Sequence, residues 1–309
     1  MSCVRASSFR KGGVHLIRFR SGRCLLTALL LVVLQAASAG AVFDDLEVSP
    51  RARGLGGCYA GLSSEATGVF YNPAGLVNTE GRNAYLSMFR PFDMPFSRVN
   101  LFAYSTPVQG WGTVGVGYSD FRVDYLDTVL EVERTLTFSH AFDLMRDLSS
   151  GLAFGYSVNI YNLDYPTVSV TGFDLGSETT VGLDIGFVAQ LRERTTAGFF
   201  VENLNNPSMG DPVGVDLPQR VSGGMAYRPY DGVITAFEVE KQLGQEIQFH
   251  GGMEFEVSKP LVIRVGAQTK PNLLDVGVGL NFGMAKLDVT YTHHPVMDAT
   301  IHYGLGLHF

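Results

Sequence analysis

The sequence predicts an all-β fold: a transmembrane antiparallel β-barrel of about 14 strands, with an N-terminal hatch or plug segment in its lumen. Three observations lead there. From residue 84 to the end, large apolar side chains alternate with small or polar ones. The chain is charge-poor and glycine-rich, with 17% charged residues, 46% hydrophobic residues and 36 glycines in 309, where a globular domain usually carries about a quarter charged. Finally, it stops on an alternating strand whose last residue is Phe309.

The N-terminus comes first. Residues Cys24 to Leu34 form the only long apolar run, about 11 residues against the ~20 a spanning helix needs. Arg5, Arg10, Lys11, Arg18, Arg20 and Arg23 precede it, and Ala37-Ser38-Ala39 follows. A positive stretch, a short apolar stretch and a small-residue site make a secretory signal peptide over 1–39, with cleavage after Ala39 or Ala41. The competing reading is an N-terminal membrane anchor. Loss of the leader leaves 17 basic against 30 acidic residues, a net charge of −13, which excludes nucleic acid as a partner. Only Cys58 remains of three cysteines, so there is no intramolecular disulfide and no cysteine-based zinc site.

Residues 40–82 do not alternate. They contain Arg51-Ala52-Arg53-Gly54-Leu55-Gly56-Gly57-Cys58-Tyr59-Ala60-Gly61-Leu62 and later Phe70-Tyr71-Asn72-Pro73-Ala74-Gly75-Leu76. The glycines invite a nucleotide-loop reading, but no strand precedes them and no βαβ unit follows. Asn72-Pro73 reads as a turn and Glu65-Ala66-Thr67 as part of a short helix. A compact, glycine-rich, moderately apolar segment ahead of a barrel reads as a plug.

Residues 83–309 then read as the barrel. Strands are expected over 84–89, 96–105, 111–120, 131–141, 150–161, 178–191, 195–203, 219–228, 232–241, 246–257, 261–268, 273–283, 286–293 and 298–309. Tight connections (107–110, 192–194, 229–231, 258–260, 284–285) alternate with a set that includes long loops at 162–177 and 204–218. Short turns at one end and longer loops at the other are typical of a barrel with both termini in the periplasm. A soluble β-sandwich also alternates, but its outer face should be charged. Here the outer residues include Tyr156, Phe187, Tyr227 and Phe282. Inward glycines at 115, 117, 155, 182, 186, 277, 279, 304 and 306 suggest that the lumen holds another backbone.

The last strand is the sharpest signal. Ile301, Tyr303, Leu305, Leu307 and Phe309 share one face, while His302, Gly304, Gly306 and His308 share the other. Tyr303, Leu305, Leu307 and Phe309 are the candidate assembly signal, the strand that barrel-assembly machinery reads. Outer-membrane lipid is the other expected partner, and the outer membrane of a Gram-negative-type bacterium the expected location.

With these residues quoted, the chain resembles the FadL-type outer-membrane proteins, in particular their PorV/PorQ branch. The resemblance spans the whole exported chain; its specific part is the glycine-rich stretch followed by Asn-Pro-Ala-Gly. It places the plug motif at Gly54, Gly56, Gly57, Asn72, Pro73, Ala74 and Gly75. It implies a 14-stranded barrel with a hatch inside. Two roles follow: passive transport of hydrophobic small molecules, or non-enzymatic assistance in protein secretion or surface attachment through secretion-system proteins. FadL-type barrels release ligand sideways through a kinked strand, and Gly112, Gly115 and Gly117 are the candidates for such a kink.

Other chemistry finds little support. His293-His294, with Asp298 and His302 nearby, is a weak metal candidate beside an ordinary exposed turn. His140, His250 and His308 lie on strands as lumen or interface residues. Ser139-His140 is adjacent but on opposite faces, and no Gly-x-Ser-x-Gly or His-Glu-x-x-His motif occurs. No cofactor and no enzyme activity are expected. Asp184, Glu202, Glu238, Glu240, Glu254 and Arg264 fall within alternating runs; facing lipid they would cost up to about 2–4 kcal/mol each, so they should face the lumen, where acid–Arg pairs can hold the hatch. Trp111 and tyrosines 85, 118, 125, 161, 227 and 291 are expected in interfacial girdles.

Overall fold

The computed structural model describes residue 43 and residues 48–126, 128–165, 176–210 and 214–309. The expected leader over 1–39 lies outside these residues.

Why the strands form is visible in their burial. In β14 (Leu273–Phe282), Leu274, Val276, Val278 and Leu280 are exposed while Asp275 is buried. In β15 (Ala285–His293), Leu287, Val289 and Tyr291 are exposed while Asp288, Thr290 and Thr292 are buried. The pleat sends the apolar set outward and the polar set inward, the reverse of a soluble protein.

The remaining wall strands are β1 (Asn83–Phe89), β2 (Ser97–Val108), β3 (Gly112–Tyr125), β4 (Thr128–Arg146), β5 (Gly151–Tyr165), β6 (Gly176–Leu191) and β7 (Thr195–Glu202). They continue with β10 (Arg220–Tyr227), β11 (Val233–Gln242), β12 (Ile247–Ser258), β13 (Leu261–Gln268) and β16 (Thr300–His308). With β14 and β15 these make fourteen strands that close in sequence order into one antiparallel barrel. The two-residue strands β8 (Ser208–Met209) and β9 (Val215–Asp216) pair only with each other, between β7 and β10. They lie inside the stretch expected as a plain loop; two residues are too few to show a period.

Closure is made by β1 and β16, from Asn83↔His308 to Phe89↔His302. Beyond the ladder, Arg82 N donates to Phe309 O at 2.8 Å and Phe309 N to Arg82 O at 3.0 Å. Ile301, Tyr303 and Leu307 point outward and His302 and Gly304 inward, as the alternation predicts. The tight turns share the end of the barrel where Arg82 meets Phe309. Among them the Gly283–Met284 connection has Gly283 at φ +72, a conformation that favours glycine.

Residues 48–82 fill the lumen. Helix α1 (Pro50–Gly54) starts at Ser49, whose hydroxyl accepts from Ala52 N, with Pro50 at its first position. Helix α2 (Gly68–Tyr71) begins after Glu65-Ala66-Thr67 rather than within it. It ends because Asn72, preceding Pro73, is extended (φ −155°, ψ 102°). Asn72 then caps the 3₁₀ turn Pro73–Asn78 by accepting from Ala74 N at 3.1 Å. Ala52, Leu55, Tyr59, Leu62, Val69, Ala74 and Leu76 are buried.

The wall makes room with glycine. A Cβ at Gly117 would meet Phe70 and Val69, one at Gly155 the backbone of Pro73 and Ala74, and one at Gly198 the carbonyl of Ala60. Cβ atoms at Gly252 and Gly266 would strike Leu55 and Gly56 backbone. Gly155→Val is therefore expected to lower unfolding free energy in detergent by about 1–3 kcal/mol through overpacking. Gly223→Ala is the control, since a Cβ there meets nothing within 4 Å. Equal denaturation midpoints for the two variants would refute the close approach.

Candidate functional site

The plug is held to the wall by charges. Arg51 on α1 clasps Glu254 of β12 with two bonds of 3.1 Å and reaches Glu65 at 2.8 Å. Arg264 of β13 donates to Glu254 and to Asp288, each at 2.6 Å. Lys286 of β15 meets Glu65 at 2.8 Å and Asp288 at 3.5 Å. Three cations thus face three carboxylates, so the buried cluster is neutral. Arg264 and Asp288 are each only 1% exposed, and charges that deep persist only when paired and hydrogen-bonded.

Further ties run from wall carboxylates to the plug. Arg53 Nε donates to Asp275 Oδ1 at 3.0 Å and to Thr292 Oγ1 at 3.2 Å. Glu238 Oε2 accepts from the amides of Tyr59 and Ala60, both at 2.9 Å. His250 Nδ1 lies 2.7 Å from the Gly56 carbonyl. Asp184, Glu238, Glu240, Glu254 and Arg264 are all buried, as the alternation predicts. Asp275, Asp288, Glu65 and Lys286 were not singled out in the sequence, although Asp275 and Asp288 occupy inward positions of their alternating strands.

The plug-motif residues sit where the segment bends against the wall. Gly54 packs beside Arg264 and Thr290. Gly56 has φ +68 and Gly57 φ +86; a Cβ on Gly56 would lie 2.7 Å from Ala267 N. Asn72 Nδ2 donates to the carbonyls of Ala60 at 2.7 Å and Phe187 at 3.2 Å, linking the plug to itself and to β6. Pro73 and Ala74 lie against Gly155, and a Cβ on Gly75 would strike the Ser63 carbonyl. Gly115 and Gly117 point at Val69, and β3 pairs without interruption on both flanks from Thr113 to Val123. Gly112, at the start of that strand, has φ +100, and a shift in its pairing register lies at Val123/Asp124.

Two aromatic assignments need correction. Tyr85 and Tyr161 are buried in the lumen rather than in a girdle. Tyr85 OH donates to Asp288 Oδ2 at 3.2 Å and Tyr161 OH to Asn203 Oδ1 at 3.0 Å. Strand parity places Tyr85 with Ser87 and Tyr161 with Asn159 on the inward face; the girdle expectation followed the residue type, whose hydroxyl suits a polar lumen as well as an interface. Trp111, Tyr118, Tyr125, Tyr227 and Tyr291 are exposed. Ser139 and His140 do lie on opposite faces, with Ser139 Oγ 2.7 Å from Ser157 Oγ. His294 Nδ1 accepts from Val296 N and Met297 N, capping its own turn.

Cavities flank the plug. Toward the long connections a chamber of about 110 Å³ has a mixed lining, apolar at Val48, Val69, Phe70, Val99 and Phe121 and polar or charged at Glu133, Asn159, Asp184, Glu202 and Arg220. Toward the tight turns a space of about 500 Å³ exposes Arg51, Glu65 and Lys286 beside Arg228.

Burial opposes the charge on Glu65, but Lys286 and Arg51 outweigh it and hold the carboxyl down, from 4.5 to about 2. A depressed carboxyl stabilises the folded state above its ordinary value and loses that contribution as pH falls through the folded one. Glu65→Gln is thus expected to cost about 1–3 kcal/mol at neutral pH. Denaturant titrations in detergent should show the gap from wild type closing between pH 4.5 and about 2. A gap that is constant with pH would contradict the assignment.

No family model matches the chain, and no curated protein matches it. Solved structures do. The toluene transporter TodX of P. putida superposes with TM-score 0.60 at 10% identity, over 84% of this chain and 97% of that one. A TodX deltaS2S3 mutant, described as a monoaromatic hydrocarbon channel, gives 0.57 at 11%, over 84% and 96%. A Pseudomonas aeruginosa FadL homologue gives 0.57 at 9%, over 85% and 98%. At such identities the likeness is one of fold, and the fold this chain shares is that of the FadL-type barrel.

Proposed function

We propose that the chain spans the bacterial outer membrane and passes small hydrophobic molecules passively, without chemistry of its own. The observation that carries this reading is the closed fourteen-strand barrel, whose fold superposes on proteins described as a toluene transporter and a monoaromatic hydrocarbon channel. The outward apolar face supports the membrane location, since such a surface meets lipid at no desolvation cost. The chamber of about 110 Å³, whose lining mixes Val48, Val69, Phe70, Val99 and Phe121 with Glu133, Asp184, Glu202 and Arg220, is the entrance of the route in this reading. Passage beyond it requires the plug to withdraw from the glycines of the wall. In this reading Tyr303, Leu305, Leu307 and Phe309 are what the assembly machinery engages, and the leader over 1–39 directs export. The comparisons lend no support to the secretion-assisting alternative.

Two measurements test the reading. Cells with an otherwise sealed outer membrane should take up labelled toluene faster when they express the chain; uptake equal to the empty vector would sink the transport role. Val278→Arg places a guanidinium among the outward apolar residues of β14. It should lower folding stability in lipid vesicles by about 2–4 kcal/mol. No loss there would argue against a lipid-facing wall.

A further inference from the structure

A groove of about 800 Å³ runs along the outside of the wall at the long-connection end, across β15, β16, β1 and β2. One part of it is apolar, where Met88, Tyr291, Ile301 and Tyr303 point outward and are exposed. The other part is ionic, lined by Arg90, Asp93, Arg98 and Asp298. The groove thus crosses the level at which the outer surface changes character. On β1 the outward series runs Leu86, Met88 and then Arg90; on β2 it runs Phe102, Asn100 and then Arg98. On β16 Tyr303 and Ile301 give way to Ala299 and Asp298. A molecule that fills such a groove is an amphiphile, with its tail along the apolar strands and its head among the charges.

The ionic part is held by the backbone. Directly after β1 the chain turns at Pro91–Asp93, where Asp93 N donates to Arg90 O at 3.2 Å and Met94 N to Pro91 O at 3.0 Å. Phe92 N donates to Thr300 Oγ1 of β16 at 2.8 Å. Phe92 and Asp93 have φ +53 and +52, a conformation uncommon outside glycine, and the fold keeps Asp93 at the groove against that cost. Two cations and two carboxylates line the groove, yet no two of the four form an ion pair. Among the described residues Arg90, Asp93 and Asp298 have no side-chain hydrogen bond or ion pair. Arg98 reaches Asp124 only at 3.6 Å, and Asp124 is already held by Arg122 at 2.7 Å. A purely anionic head would answer the guanidiniums and face the carboxylates; a head with both signs answers all four.

We infer that this groove seats a phospholipid whose head carries both a phosphate and a primary ammonium, as phosphatidylethanolamine does. The phosphate lies between Arg90 and Arg98, whose guanidinium forks match its oxygens. The ammonium donates to Asp93 and Asp298, and the acyl chains lie along Met88, Ile301 and Tyr303. The inference rests on the membrane-spanning reading and not on hydrocarbon passage, since the groove is on the outside of the wall and away from the lumen.

The test is competition. The full chain, purified in a non-ionic detergent, is incubated with equal amounts of dioleoyl phosphatidylethanolamine, phosphatidylglycerol and phosphatidylcholine, and the retained lipid is read by native mass spectrometry. Phosphatidylglycerol offers the phosphate without the ammonium, and the methylated ammonium of phosphatidylcholine has no N–H to donate. Phosphatidylethanolamine is expected to be retained about fivefold over each of the others. The double variant Arg90→Gln/Asp298→Asn should lose this preference and keep its heat-modifiable gel migration. Arg192→Gln/Glu193→Gln, in the tight β6–β7 connection, should retain it. Equal retention of the three lipids, a preference for phosphatidylglycerol, or an unchanged preference in the folded Arg90/Asp298 variant would overturn the inference. Recovery of the chain from cells without detergent would instead overturn the membrane reading on which it rests.

Discussion

The plug lies backbone-to-wall, and the rest of the structure depends on that distance. A plug resting on side chains could sit in many places. This one brings its backbone against Gly155, Gly198, Gly252 and Gly266, while its side chains Val69, Phe70 and Asn72 fill the space left at Gly115, Gly117 and Gly186. Each glycine weakens its strand slightly, and the loss is offset by contacts that only a bare backbone allows. The position of the plug is therefore written into the wall.

Electrostatics completes what packing begins. A lumen closed to bulk water penalises unmatched charge. Around Arg264 the strands and the plug supply equal numbers of cations and carboxylates. Around Glu238 a carboxylate takes two plug amides. The ionic cluster borders the space toward the tight turns, and a smaller chamber of mixed lining lies toward the long connections.

Most of the wall was legible from period two alone: the expected spans of β1 and β13 match the observed strands to within a residue. Alternation also separated Asp184 and Arg264 from lipid. Three things were less readable. Tyr85 and Tyr161 go inward by strand parity, and residue type alone, a phenol that fits either face, points the wrong way. The hairpin of β8 and β9 is too short to show a period. Contacts such as Arg51 to Glu254 join residues 203 apart, and nothing local in either stretch names its partner.

The seam between β1 and β16 has a consequence for how the molecule comes to exist. Its strand partners stand at opposite ends of the barrel sequence, Asn83 against His308, so among the described strands closure is the most non-local pairing and has the largest loop entropy to overcome. The plug immediately precedes β1. Once the seam shuts, a segment of that bulk has no wide way in. The inner segment must therefore be enclosed before the ring is complete, so the order of folding, and not affinity alone, decides whether the barrel is born filled.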